Sequence, residues 1–387
     1  MTVTVPGTAS QMLAAGPDAL IYRAELATSA ADVNADDWDE VVLAAGGSIF
    51  HSHAWHVCFE RTAPGSMSAA HVLAYHGDQL VGVCPAYLID SCPRLSYALS
   101  LDRPAALDVG GPVLLAHSLA ALDGGPLTLA AHPGALRALD AGLRGAARDL
   151  GAWCYGYANL SPGPFSGWLL GQGYATATVA ISYRVPVSWN SPEEYWASMR
   201  SRRKQSLRNA RNRTLSAGWQ VASGPPERDE AIGLIHRLLV AYGTPTELLP
   251  GDFLTAVLRD LAPCERSVTA RDPSGAARAV FTGWRFGEHL AMWLAGLDSA
   301  ELDAFEPYHA MLALVVEAAI AERIKTIDLG RANGDIKRRY GAHPTPLLLA
   351  VRSGQPDRDA LLHLWCRDLE RRSHAVLNGL ETASRCC

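Results

Sequence analysis

The sequence predicts an α/β fold with mixed α+β sheets, laid out as two similar halves and closed by a C-terminal helix. Three observations carry this. Short apolar strands alternate with long helices whose apolar residues recur at helical spacing. One order of elements (strand, strand, helix, strand, short helix, strand) occurs twice along the chain. At 387 residues the chain is long for one domain and natural for two, and its 49% hydrophobic content is ample for two cores.

In the first half, 71–76 and 79–89 predict a hairpin around Gly77-Asp78. Residues 133–150 predict a long helix, with Leu136, Leu139, Leu143 and Ala147 on one side. Strands follow at 153–158 and 176–187. In the second half, 192–217 predicts a helix, with Ser191, Pro192, Glu193 and Glu194 as its start signal. Three strands at 266–272, 277–286 and 288–297 form a meander, turned by Pro273-Ser274-Gly275 and by Gly287. Pro307 opens another long helix, where a missing N–H costs nothing. Its apolar face comprises Met311, Leu312, Val315, Val316, Ala319, Ile320 and Ile324. A short strand at 326–331, a basic helical turn and a last strand complete the half. Residues 356–380 predict a closing amphipathic helix with Leu361, Leu362, Leu364, Trp365 and Leu369 on its buried side. The divisions expected are a flexible 1–20, subdomains at 21–187 and 188–352, and a helix and tail at 353–387.

Composition excludes several function classes. The net charge of −5 leaves nucleic-acid contact to a local patch. No apolar run reaches membrane-spanning length. Residues 1–20 lack a basic region followed by an apolar core and a cleavage site, so a cytoplasmic protein is expected. The eight cysteines contain no CxxC pair, and reduced thiols are expected.

Two segments concentrate chemistry. Within 192–217, Arg200, Lys204, Arg208 and Arg211 fall at i, i+4, i+8 and i+11, on one helix face with no acid among them. A solvated face is the plain explanation, yet unopposed like charges at this spacing repel. A phosphate-bearing ligand would relieve them. The second segment, Asn333 to Gly341, puts Lys337, Arg338 and Arg339 just past a strand end, where open α/β sheets bind ligands.

The stretch 306–351 resembles the C-terminal half of a GNAT acyltransferase domain, and more closely the FemABX and BioF2-like tandem branch. The matching residues are Pro307, Asp328, Gly330, Lys337, Tyr340 and Gly341, while Ile336 departs from the aromatic usually placed before the lysine. In the first half, SIFHSHAW (48–55) is similar to the family's entry to its first helix, and LDVGGP (107–112) to its Gly-Pro turn. The resemblance covers roughly 20–352 and implies two tandem GNAT-like subdomains.

It also implies direct attack of an amine on an acyl ester or thioester, with no metal and no tightly bound cofactor. Such catalysis must hold both reactants in line, stabilise an oxyanion and remove one proton. Lys337 is the first candidate, as an ammonium beside the transferring ester; a solvent lysine is the alternative. Asp108 is a candidate proton acceptor or ammonium anchor, against a turn aspartate bonded to its own backbone. Tyr340 is a candidate proton donor to the leaving group, against a half-buried aromatic. Arg331 and Arg339 would join Arg200, Lys204, Arg208 and Arg211 in holding donor phosphate. His53 and Trp55 are placed at the acceptor cleft. His51, His53 and His56 mix strand and helix spacing without a carboxylate pair, so no metal is expected. The junction 296–312 lacks the glycine-rich loop that cradles a pyrophosphate. The expected donor is therefore aminoacyl-tRNA, with acyl-CoA as the alternative and an amine-bearing small molecule, peptide or cell-wall precursor as acceptor. A non-catalytic RNA- or nucleotide-binding module is the alternative from another class.

Overall fold

The structure, a computed structural model, describes residues 2–4, 21–62, 67–90, 111–118, 120–244, 246, 249–298 and 307–383. The chain divides into two compact units, Met1–Ile181 with Thr345–Cys387, and Ser182–Pro344. The first begins with β1 (Thr2–Thr4), β2 (Tyr22–Ala27), α1 (Ala35–Ala44) and α2 (His53–Thr62). Asn34 caps α1 by accepting from the N–H groups of Asp36 and Asp37. Next come β3 (Met67–Ala69), β4 (His71–His76), β5 (Gln79–Cys84), β6 (Tyr87–Ile89), β7 (Val113–Ala116) and β8 (Leu127–Thr128). The expected strand at 79–89 is thus two strands in two sheets. Pro85, which has no N–H to give a ladder, separates them. Then follow α3 (Ala135–Asp149), β9 (Cys154–Leu160), α4 (Pro164–Gly171) and β10 (Ala175–Pro186). β7 and β9 pair in parallel, with α3 on the connection between them. Leu139 and Leu143 of α3 pack among Tyr155 and Tyr157 of β9.

The second unit opens with α5 (Pro192–Ser198) and α6 (Ser201–Ser216) where one helix was expected. The break has a local cause. Ser198 donates its hydroxyl to the Tyr195 carbonyl, competing with the helix ladder, and Met199 and Arg200 are extended. After β11 (Gln220–Ser223) come α7 (Arg228–Ala241) and α8 (Gly251–Asp260), which the sequence analysis left unassigned. β12 (Val268–Arg271), β13 (Ala277–Phe286) and β14 (His289–Leu297) form the expected meander. α9 (Pro307–Ala321) starts at its proline and is buried nearly all round, from Ala310 and Met311 to Ala319 and Ile320. It packs against α5, α6 and the β11–β12 edge, while α7 packs on β13 and β14. β15 (Thr326–Asp328) and α10 (Gly334–Arg339) follow.

β16 (His343–Arg352) and α11 (Pro356–Ala383) complete the first unit. β16 pairs there with β9, and Leu362, Cys366 and Leu369 of α11 pack on Val113, Cys154 and Val351. Leu361 and Leu364, expected on the buried side, are 52% and 56% exposed. The apolar stripe of α11 therefore runs through 362, 366 and 369, at helical spacing. The element order does repeat, and the last strand of each repeat, β10 and β16, begins in one unit and ends in the other. β10 lends Arg184, Val185 and Pro186 to β15 in the second unit. Both unit boundaries therefore fall inside strands rather than at the 187/188 and 352/353 junctions set by sequence. Residues 5–20, expected to be flexible, lie outside the described residues, and 2–4 pair with β2. Among the described residues no helix is long and apolar enough to cross a membrane.

Candidate active site

The second unit's sheet opens where its chemistry gathers. β14 and β15 pair in parallel at His289–Thr326, Leu290–Ile327 and Ala291–Asp328. β15 ends there, while β14 runs on to Leu297. The chain beyond Asp328 instead follows β10: Leu329 N–H donates to the Tyr183 carbonyl at 2.9 Å and Tyr183 N–H to the Gly330 carbonyl at 3.1 Å. Gly330 then turns the chain at φ +75°, a conformation a side chain disfavours.

Asp328 holds this turn. It is 8% exposed, and its Oδ1 accepts from Ser182 Oγ at 2.5 Å and from Gly330 N–H at 2.8 Å. Its Oδ2 accepts from Arg184 Nε at 2.9 Å. All of the carboxylate's work lies at the mouth of β15, as an anchored negative charge.

α10 follows from Asn333, which sits in the left-handed region at φ 59°. Tyr183 packs on the helix start: a Cβ on Gly334 would lie 2.0 Å from the tyrosine hydroxyl, so any larger residue there must displace the ring. Lys337, one turn on, is buried. The solvent-lysine alternative fails, because Lys337 is only 3% exposed. Burial pushes its amine down to about 7, and the Asp328 charge works in the opposite direction. An amine there is poised between its charged and neutral forms at neutral pH.

Tyr340 is fully buried three residues on. Its hydroxyl donates to the His309 carbonyl at 2.8 Å and lies 3.1 Å from His309 Nδ1. Its own carbonyl accepts from Tyr195 Oη at 3.2 Å. Burial pushes the phenol well above its usual range, so it keeps its proton. Tyr340 thus ties the Lys337 segment to the first turn of α9.

The basic helix adjoins this turn. The Arg203 guanidinium donates to the Arg338 carbonyl, and Arg339 Nη2 donates to Ser206 Oγ at 2.8 Å. Arg338 is paired with Asp335. The predicted stripe fares differently along its length. Arg200 sits exposed before α6, and Lys204 is half-buried. The Arg208 guanidinium lies 5.6 Å over the Trp196 ring. Arg211 Nη1 bonds Glu317 Oε1 at 2.7 Å, and Trp196 Nε1 donates to the same oxygen at 2.8 Å. The opposing acid comes from α9, far along the chain. Arg208, Arg211, Trp196 and Glu317 line a hollow of about 550 Å³. Arg331 is half-buried just past Gly330.

In the first unit, Asp108 lies outside the described residues. His53 Nε2 contacts the Ala30 carbonyl at 2.8 Å, and its backbone N–H donates to Asp39 at 2.8 Å. Trp55 is fully buried, with Nε1 donating to Ser118 Oγ at 2.9 Å. Trp55→Phe is expected to destabilise the chain by about 1–2 kcal/mol, through the lost bond and the smaller ring, measured as a shift in urea midpoint. His56 is buried against Tyr87, its Nδ1 2.8 Å from the hydroxyl, and burial with nearby His71 keeps it neutral. Sequence reasoning did not single out His309, Ser182, Arg184 or Ser206. Their roles come from pairings across more than a hundred residues, or from a helix turn whose partner lies elsewhere.

Comparison with known proteins locates this geometry. Residues 200–338, from the basic helix through Lys337, match the family described as an acetyltransferase (GNAT) domain. The chain is similar in structure to FemX, at 11% identity and a TM-score of 0.60, over 82% of this chain and 96% of that one. It is also similar to the C-terminal domain of a putative lysylphosphatidylglycerol synthetase from Agrobacterium fabrum, at 12% identity and a TM-score of 0.53, over 86% of this chain and 96% of that one. A tandem GNAT protein from the clavulanic acid biosynthesis pathway gives 12% identity and a TM-score of 0.52, over 86% and 99%. No curated protein matches the sequence. The fold is one shared with FemX and with a tandem GNAT protein, and the acetyltransferase (GNAT) match falls within the second unit, its basic helix included.

Proposed function

We propose that this chain transfers an aminoacyl group from aminoacyl-tRNA to an amine acceptor, forming an amide. The observation that carries the reading is Lys337: a buried amine within electrostatic reach of the anchored Asp328 carboxylate, just past a strand end where the sheet opens, with a basic helix adjoining. The similar FemX and lysylphosphatidylglycerol synthetase folds support it, the latter named for a product bearing a lysyl group. The acceptor nitrogen attacks the ester carbonyl carbon. The ammonium first gives one proton to water or a nearby base; a C–N bond then forms, the C–O bond to the carrier ribose breaks, and the proton shed by the attacking nitrogen ends on the leaving ribose oxygen, giving its hydroxyl. In its charged form Lys337 offsets the negative charge developing on the leaving oxygen. Bound phosphate favours that charged form by attraction. Tyr340 and Asp328 fix the segment that carries it.

An acyl-CoA donor is the second reading. It is favoured by the similar tandem GNAT protein, which is described by reference to AcCoA. Incubation with tRNA carrying a labelled amino acid and a panel of amines tests the choice. The expected result is label appearing in an acid-stable amide. Label that stays on tRNA while acyl-CoA is consumed would replace the first reading with the second.

A further inference from the structure

The two flanks of α6 differ in what answers their charge. At about 3.6 residues per turn, Arg203, Leu207, Ala210 and Thr214 share the inward face; Leu207, Ala210 and Thr214 are indeed buried. Lys204, Arg208 and Arg211 fall on one flank, and Arg202 and Ser206 on the other. The first flank is answered from within the unit: Arg211 by Glu317, Arg208 by the face of Trp196. The second is not. Arg202 is exposed, as is Arg339, which reaches from α10 to Ser206. Among the described residues neither arginine has a carboxylate within ion-pair distance, and the nearby Asp335 is taken by Arg338. Because Ser206 Oγ accepts from Arg339, its own hydroxyl hydrogen is left to donate. Two guanidinium forks around a hydroxyl donor suit a phosphate dianion or diester.

From this we infer that Arg202 and Ser206 of α6, together with Arg339 of α10, the short helix that also bears Lys337, form the phosphate-binding flank for the donor's carrier. This rests on the reading that the donor bears phosphate, as both tRNA and coenzyme A do. It shifts the anion site away from the Arg208–Arg211 flank.

The test uses the full-length protein with R202E/R339E, K204E/R208E, and the exposed pair R237E/R323E, on α7 and just past the end of α9 in the same unit, which makes the same change in net charge. Binding of uncharged tRNA is read by fluorescence anisotropy across a salt series, and binding of coenzyme A by calorimetry. The expected result is that R202E/R339E weakens tRNA binding about tenfold or more. It should also flatten the log–log salt slope by about one to two. K204E/R208E should weaken binding clearly less, and R237E/R323E by less than about threefold, as expected for exposed charges that touch no bound phosphate and are screened by salt. Weakening of coenzyme A alone supports the flank and overturns the tRNA donor. An effect of K204E/R208E equal to or larger than that of R202E/R339E overturns the flank assignment, as does a wild-type protein that binds neither ligand.

Discussion

Lys337→Met is expected to reduce transfer about 10²–10³-fold and to raise thermal stability at the same time. The two effects have one cause. The amine is buried almost completely, and burial depresses it to about 7 from an ordinary value of 10.5. Between those values the unfolded chain holds a proton that the folded chain has lost, so the native state gains stability as pH rises from about 7 toward 10.5. Below about 7 both states are protonated, and the cost of burying the charge is fully present. Methionine matches the apolar stem and carries no charge, so the variant gains about 1–3 kcal/mol at pH 6.5 and less at pH 9.5. The same group sets an activity limb. If the ammonium is the working form, kcat/KM for the donor falls as pH rises through about 7 in the free enzyme. Melting curves at the two pH values and a pH–rate profile check both halves. A variant that melts lower and transfers normally would make Lys337 a structural residue.

That burial was not legible in the sequence. Lys337 precedes Arg338 and Arg339, and three adjacent cations read as a solvated surface. On a six-residue helix, however, consecutive side chains point about 100° apart, so one turns inward while its neighbours stay out. The same limit applied to the basic helix. Its positions were readable from spacing, but the acid that answers Arg211 stands on α9, and no local pattern reports it. Local signals worked where local physics decides. Pro307 starts its helix, Gly330 turns its strand, and Asp328 braces the strand end through the Gly330 N–H. The lost boundaries follow from β10 and β16, each of which begins in one unit and ends in the other. Strand partners are set by tertiary pairing, which an element order cannot express. The unassigned α7 and α8 did carry helix signals: acids in the first turn of α7, and Phe253, Leu254, Val257 and Leu258 at helical spacing in α8.

Asp328→Asn is expected to cost about 2–4 kcal/mol and to move the alkaline limb of activity to lower pH. The carboxylate accepts from three donors, Ser182 Oγ and Gly330 N–H on Oδ1 and Arg184 Nε on Oδ2. An amide offers one acceptor oxygen and two donor hydrogens. If its oxygen faces Ser182 and Gly330, its NH₂ faces a guanidinium; if it is flipped, the strand-end bonds are lost. Either way Arg184, which is 22% exposed, loses its ion pair with Asp328. Leaving one partner of such a pair costs far more than an exposed ion pair is worth. The effect on Lys337 is separate. Asp328 is the charge that opposes desolvation there, so its loss lets the amine fall further below about 7. The ammonium form is then lost at a lower pH, and transfer declines earlier as pH rises. Ser182→Ala separates the two effects, because it removes one hydrogen bond and no charge. It should lower the unfolding free energy by about 1 kcal/mol, read from the denaturation midpoint, and leave the limb where it was. A limb that moves equally in both variants would mean that the strand end shifts as a body, and that the Asp328 charge does not reach Lys337.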